Sequence, residues 1–267
     1  MIEKSDYEEP RCPLAKPSSV TPIPTGRVIE KLDEYYAKND MDGAERHLQY
    51  WLATAEQGND ERGRLTVLNE QVGLYRKLMR PEALTACKEA LRLGEKLQSG
   101  TITLGTTLIN VATAYKAFGD AAGAMPLYER ARKIYEKELP AGDARLGGLY
   151  NNMALAAMDL QDYSGAETLF RKALSVMEQV EDGKPEQAIT YCNLADLTAA
   201  RQGMEDGEKE INACLETAMT LLDAPENRRD GSYAYVCEKC APTFGYYGFF
   251  RYENELNRRT REIYERT

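Results

Sequence analysis

The chain has 267 residues and a mass of 30.0 kDa, with 43% hydrophobic and 29% charged residues, enough for a packed core and for one large or two ordinary domains. Its 34 Lys+Arg against 43 Asp+Glu give a net charge of -9 and a pI near 5.0, which argues against nucleic acid or an anionic membrane as the main partner. A single histidine, His47, removes most His-based catalysis and most zinc sites.

The first residues, Met1-Ile-Glu-Lys-Ser-Asp6, hold no apolar run, so no secretory signal is expected. Five of the 11 prolines fall within the first 24 residues, and no helical or alternating period survives among them. Residues 1–25 therefore read as an extended or flexible N-terminal arm. The longest uncharged stretch, Leu97 to Tyr115, carries five threonines and Asn110, too polar for a membrane span. The expected compartment is the cytoplasm, with the six cysteines as reduced thiols.

From residue 27 onward the sequence repeats. The first copy is marked by Ala44, Leu48 and Trp51, the second by Asn69, Ala83, Cys87 and Ala90. The third runs Asn110-Val-Ala-Thr-Ala-Tyr115, Gly119-Asp120, Ala124 and Ala131, and the fourth runs Asn152-Met-Ala-Leu-Ala-Ala157, Gln161-Asp162, Ala166 and Ala173. A fifth holds Asn193-Leu-Ala195, Gly207, Ile211 and Cys214, and a sixth holds Cys240-Ala241, Phe244 and Gly248. Each copy contains two stretches with apolar residues at spacings of three and four, as in Leu108, Val111, Ala112 and Tyr115, which is the period of an amphipathic helix. Short breakers (Asn39-Asp40, Arg80-Pro81, Gly119-Asp120, Gln161-Asp162, Gln202-Gly203) divide the two helices of a copy. The units are expected at about residues 27–58, 62–98, 101–139, 143–181, 185–223 and 230–267. Recurrent alanines (Ala90, Ala131, Ala173) let paired helices approach closely. In the last unit Pro242 is expected to kink the first helix, and the second helix reads as a polar cap with Ile263 and Tyr264 facing inward.

This pattern resembles the tetratricopeptide repeat (TPR), in the longer form of about 42 residues found in kinesin light chains and many bacterial repeat proteins. The resemblance is strong over residues 101–222 and weaker over 27–98. It implies an all-α, right-handed solenoid of about six antiparallel helix pairs over residues 26–267. It also implies a non-enzymatic scaffold, without cofactor or metal, that binds a protein or an extended peptide on the concave face lined by the first helix of each pair. Asn110, Asn151, Asn152 and Asn193 recur on those helices. Asparagines at this register hold a peptide backbone in the family, because an amide both donates and accepts; a structural ladder between stacked units is the other reading, compatible with the first. Thr113 belongs to the same surface, with Lys116, Asp159 and Asp196 as polar discriminators. The inner face of units three to five is expected to be neutral, because residues 101–115, 146–158 and 187–195 carry no charge.

Cys237-Glu-Lys-Cys240 is a lone Cys-x-x-Cys without a second pair or a nearby histidine, and reads as two small buried hydrophobes. Eight aromatic residues crowd positions 233–252. They either seal the C-terminal end or present Tyr246, Tyr247, Phe249 and Phe250 to a partner or a second copy of the chain, so a self-associating structural protein and a homodimer stay open. A peptide-sensing regulator, as in bacterial quorum-sensing receptors with similar repeats, would need a separate effector. The first helix, Val28 to Tyr36, offers acidic residues where chaperone-tail binders use Lys and Asn to clamp a terminal carboxylate, so chaperone binding is disfavoured. Phosphate loops and nucleophile elbows are absent.

Overall fold

The computed structural model describes residues 20–97 and 101–266, and the described residues form twelve helices and no strand. The expectation for the arm falls mostly on residues 1–19, outside the described residues. In chain order the helices are α1 (Thr25–Ala37), α2 (Met41–Gln57), α3 (Glu61–Lys77), α4 (Glu82–Leu97), α5 (Ile102–Ala117) and α6 (Ala121–Glu138), followed by α7 (Ala144–Asp159), α8 (Tyr163–Met177), α9 (Lys184–Gln202), α10 (Met204–Leu222), α11 (Gly231–Tyr246) and α12 (Phe250–Tyr264). They pack as six successive pairs, and the first helix of each pair also touches the first helix of the next. This is the all-α helical solenoid that the repeat implied.

The turns inside the six pairs share one backbone feature, and five of them also share a hydrogen bond. One residue takes a left-handed φ: Asn39, Met79, Gly119, Gln161, Gly203 and Gly248, at 53°, 51°, 86°, 62°, 86° and 86°. The next N–H can then reach back to the last turn of the preceding helix, as Asp120 does to the Tyr115 carbonyl (2.9 Å) and Phe249 to that of Phe244 (2.8 Å). In three turns that next residue is also an aspartate capping the second helix. Asp40, Asp120 and Asp162 accept through Oδ1 from the N–H of Gly43, Gly123 and Gly165, at 2.8, 2.7 and 2.9 Å. Asp60 does the same for Gly63 at the joint before α3 (2.9 Å) and also accepts from the Ile23 N–H at 2.9 Å, which seats the end of the arm on the second unit. The glycine is required: a Cβ at Gly123 or Gly165 would lie 2.3 or 2.1 Å from the capping carboxylate.

The core is a stack of small clusters. Tyr128 of α6 is fully buried with Ala124 and Ala131 and with Ala173 (1% exposed), and Phe170 of α8 with Ala166, while Ala44, Ala83 and Ala90 are fully buried in clusters nearer the N-terminal end. Gly105 and Gly147, also 42 residues apart, admit Tyr135 and Met177; a Cβ there would meet the Tyr135 ring at 2.5 Å and the Met177 methyl at 2.7 Å.

The helix α11 runs through Pro242 to Tyr246. The last unit departs from one expectation. In α12 the buried residues are Leu256, Arg259 and Ile263, while Tyr264 is exposed. Among the described residues no helix packs on the far side of α12, so a position about 100° round the helix from Ile263 meets solvent rather than a neighbour.

Candidate functional site

The first helices α3, α5, α7, α9 and α11 lie side by side and make one continuous surface. Four register-equivalent asparagines cross it: Asn69, Asn110, Asn152 and Asn193. Asn110 donates its amide to Asn69 Oδ1 (3.2 Å), and Asn69 donates to Thr107 Oγ1 (3.1 Å) and to its own helix at the Leu65 carbonyl (3.0 Å). Two units further on, Asn193 donates to Asn151 Oδ1 at 3.0 Å, and Thr190 Oγ1 donates to the same oxygen at 3.3 Å. Asn152, the next residue, is half-buried. The asparagines thus make a hydrogen-bonded ladder between units two and three and between units four and five. Each amide keeps capacity beyond the bond it spends there.

The other predicted residues sort into bonded pairs. Thr113 is bonded to the Ile109 carbonyl at 2.8 Å and to the Tyr128 hydroxyl at 3.0 Å, so its hydroxyl ties a first helix to the core. Lys116 and Asp159 form an ion pair at 3.3 Å between units three and four. Asp196 accepts from the Tyr247 hydroxyl at 3.0 Å, joining units five and six. Burial raises the Asp196 carboxyl and the Tyr247 bond partly offsets this.

Four residues that sequence reasoning did not single out complete the surface: Glu70, Arg76, Glu186 and Tyr235. Burial raises the carboxyls of Glu70 and Glu186, and Asp33 of α1 adds to the first. Tyr235 of α11 is 51% exposed, yet burial raises its hydroxyl, and Arg76 of α3 is near enough to act against that shift. The uncharged runs end at Lys116, Asp159 and Asp196, the polar residues expected on this surface, and Glu186 directly precedes the third run. Within the first run Leu108, Val111, Ala112 and Ala114 are fully buried.

Tyr246 and Phe250 are 69% and 63% exposed, whereas Tyr247 and Phe249 are half-buried. Beside them an open depression of about 520 Å³ between α10 and α12 is lined by Met219, Phe249, Phe250 and Tyr252. Tyr233 and Phe244 are core residues. Cys237 and Cys240 are buried free thiols, and contact with Cys192 together with burial raises Cys240. No group of three or more metal-ligating residues occurs among the described residues. No helix among them is long and apolar enough to cross a membrane.

Two family models, both described as Tetratricopeptide repeat, match residues 104–143 and 145–206, which are units three and four and most of unit five. Residues 104–206 of the chain carry tetratricopeptide repeats. Its fold is similar to the putative kinesin light chain repeats of Podosopora anserina, at 19% identity over 75% of this chain and 94% of that one, with a TM-score of 0.52. A substituted form of that same protein gives a TM-score of 0.53 over the same coverage. A Rap protein complexed with Competence and Sporulation Factor is similar over 91% of this repeat protein and 75% of its own length, at 14% identity and a TM-score of 0.51. No curated protein matches the chain.

Proposed function

We propose that this repeat protein is a non-enzymatic interaction scaffold that holds an extended peptide, or a partner's extended segment, along its concave first-helix face. The observation that carries this reading is the row of half-buried amides at Asn110, Asn151, Asn152 and Asn193 on the surface that successive first helices share, since amides suit a peptide backbone. The similarity of fold to a Rap protein in complex with its factor supports a surface of this kind. A peptide-sensing role through a separate effector would use the same surface. The five cysteines among the described residues are free thiols, which suits a reducing compartment such as the cytoplasm.

The test is a photo-crosslinking residue placed at Lys116 on the inner face or at Glu208 on the exposed face of α10, in extract of the native host. The inner site should capture a partner, and Asn110→Ala with Asn152→Ala and Asn193→Ala should lose it while the helical signal stays. Capture from Glu208 alone, or a triple variant that captures as well as the parent, would overturn the reading.

A second reading is self-association through the C-terminal unit, favoured by the exposed Tyr246 and Phe250 beside an apolar depression. Light scattering of the chain against Tyr246→Ser/Phe250→Ser decides it, and a monomer in both cases removes it.

A further inference from the structure

The C-terminal unit presents a protruding ring and a recess in one patch. Phe250 is 63% exposed and Tyr246 is 69% exposed. The recess is the open depression of about 520 Å³ lined by Met219 of α10 and by Phe249, Phe250 and Tyr252. Its volume lies in the range that takes a drug-sized ligand, so an aromatic ring fits. The walls are fixed before anything enters. Phe249 and Tyr252 stand edge-on to the buried Phe244, with ring centroids 6.1 and 4.8 Å away. The Tyr252 hydroxyl donates to Asp223 at 2.9 Å and to the Met219 carbonyl at 3.3 Å. Tyr246 is propped edge-on against Tyr247 at 5.0 Å, and the Tyr247 hydroxyl is held by Asp196 at 3.0 Å. A recess and a ring that are already in place lose little freedom when they meet a partner.

Two observations point to a second copy of the chain as the occupant. A patch that offers both the ring and the recess is self-complementary, which is what a two-fold contact requires. The charge also allows it. Residues 231–267 hold six Lys+Arg and five Asp+Glu, a balance of +1, whereas the remaining residues hold 28 against 38, a balance of -10. Within α12 Glu255 and Glu262 are both paired to Arg258. Two copies can therefore meet at this end without the like-charge repulsion that the rest of the surface imposes. We infer that two copies pair about a two-fold axis at this patch, with Phe250 of each seated in the recess between α10 and α12 of the other. The inference rests on the self-association reading above and adds its geometry: a closed dimer held by two identical ring-in-recess contacts. Because α10 and α12 are second helices, the first-helix surface stays open in both copies.

The test is sedimentation velocity on the full chain over a concentration series. The parent should pass from monomer to dimer and stop there, since a two-fold contact closes on itself. Phe250→Ala removes the ring and Met219→Trp fills the recess. Each should weaken the dimer at least about tenfold, as the loss of a buried anchor does. A mixture of the two variants should pair more tightly than either alone, because the intact ring of one meets the intact recess of the other. Tyr50→Ala removes an equally exposed ring (63%) from α2 and should change nothing. Circular dichroism melts of each variant separate lost pairing from lost fold. A parent that stays monomeric throughout overturns both the inference and the self-association reading. A dimer that Tyr246→Ser/Phe250→Ser weakens, but that Met219→Trp leaves intact and mixing does not restore, keeps the reading and overturns the inference. Assembly beyond a dimer, or a loss in Tyr50→Ala equal to that in Phe250→Ala, overturns the inference as well.

Discussion

Asn193 hands its amide hydrogen to Asn151 Oδ1 at 3.0 Å, across the joint between units four and five. The same oxygen takes the Thr190 hydroxyl at 3.3 Å. Asn151→Ala therefore leaves the half-buried Asn193 amide without this acceptor, while the Thr190 hydroxyl keeps the Glu186 carbonyl at 3.3 Å, and should cost about 1 kcal/mol, read as faster amide exchange in α9. Asn152→Ala, one residue on, should leave that exchange unchanged and act on partner binding alone. Equal exchange rates in the two variants would mean that the ladder carries no stability.

Met79 holds φ at 51° in a turn where three of the other five units place glycine. A side chain in the left-handed region costs roughly 1–2 kcal/mol, partly offset by the greater entropy glycine loses on folding. Met79 is also exposed, so its side chain adds little packing. Met79→Gly should stabilise the protein by up to about 1 kcal/mol, seen as a higher denaturant midpoint with an unchanged slope. Gln161, at 62° and also without glycine, should respond alike.

Gly105 predicts the opposite sign. A Cβ there would meet the Tyr135 ring at 2.5 Å, and Tyr135 is fixed by a bond between its hydroxyl and Thr106 Oγ1 at 2.8 Å. Gly105→Ala gains helix propensity but forces that ring aside, for a net loss of about 1–3 kcal/mol. Gly73, whose Cβ would meet nothing within 4 Å, is the control: Gly73→Ala should stabilise by roughly 0.5–1 kcal/mol.

How far the sequence alone reaches can be read from these residues. The 41–42-residue spacing of Asn69, Asn110, Asn152 and Asn193 located one helix position in four units, because stacking imposes the same neighbours each time. It could not show that Asn193 bonds to Asn151 rather than Asn152, since a one-residue choice on a helix depends on the rotation between units. The neutral runs hold both fully buried residues such as Leu108 and Val111 and the half-buried asparagines, because a first helix is covered on two sides.

Arg259 and Glu255 carry the last prediction. The sequence of α12 reads as a polar cap, yet Arg259 is 9% exposed and donates to Glu255 (2.8 Å), Asp223 (2.7 Å) and the Tyr233 hydroxyl (2.8 Å). It thereby fastens α12 to the end of α10 and to α11. Arg259→Leu keeps the packing volume but leaves Asp223 and Glu255 without their shared cation, at a cost of on the order of 2–3 kcal/mol because both acids are partly exposed. In a solenoid that loss falls on the terminal unit first, so amide exchange should rise in α12 and α11 before any other helix. The acid dependence follows from Glu255, whose carboxyl is held down to about 2 by Arg258 and then Arg259, against an ordinary value of 4.5. A depressed carboxyl contributes its stability in full above pH 4.5 and loses it as the pH falls from there toward 2. Glu70, Glu186 and Asp196 have the opposite sign, since raised carboxyls destabilise as the pH climbs through their folded values. Protection of α12 should therefore hold from neutral pH down to about 4.5 and fall below it, and Glu255→Gln should flatten that fall while lowering protection at neutral pH. Protection that declines equally in parent and variant would show that Arg259 does not need Glu255 to hold the end of the stack.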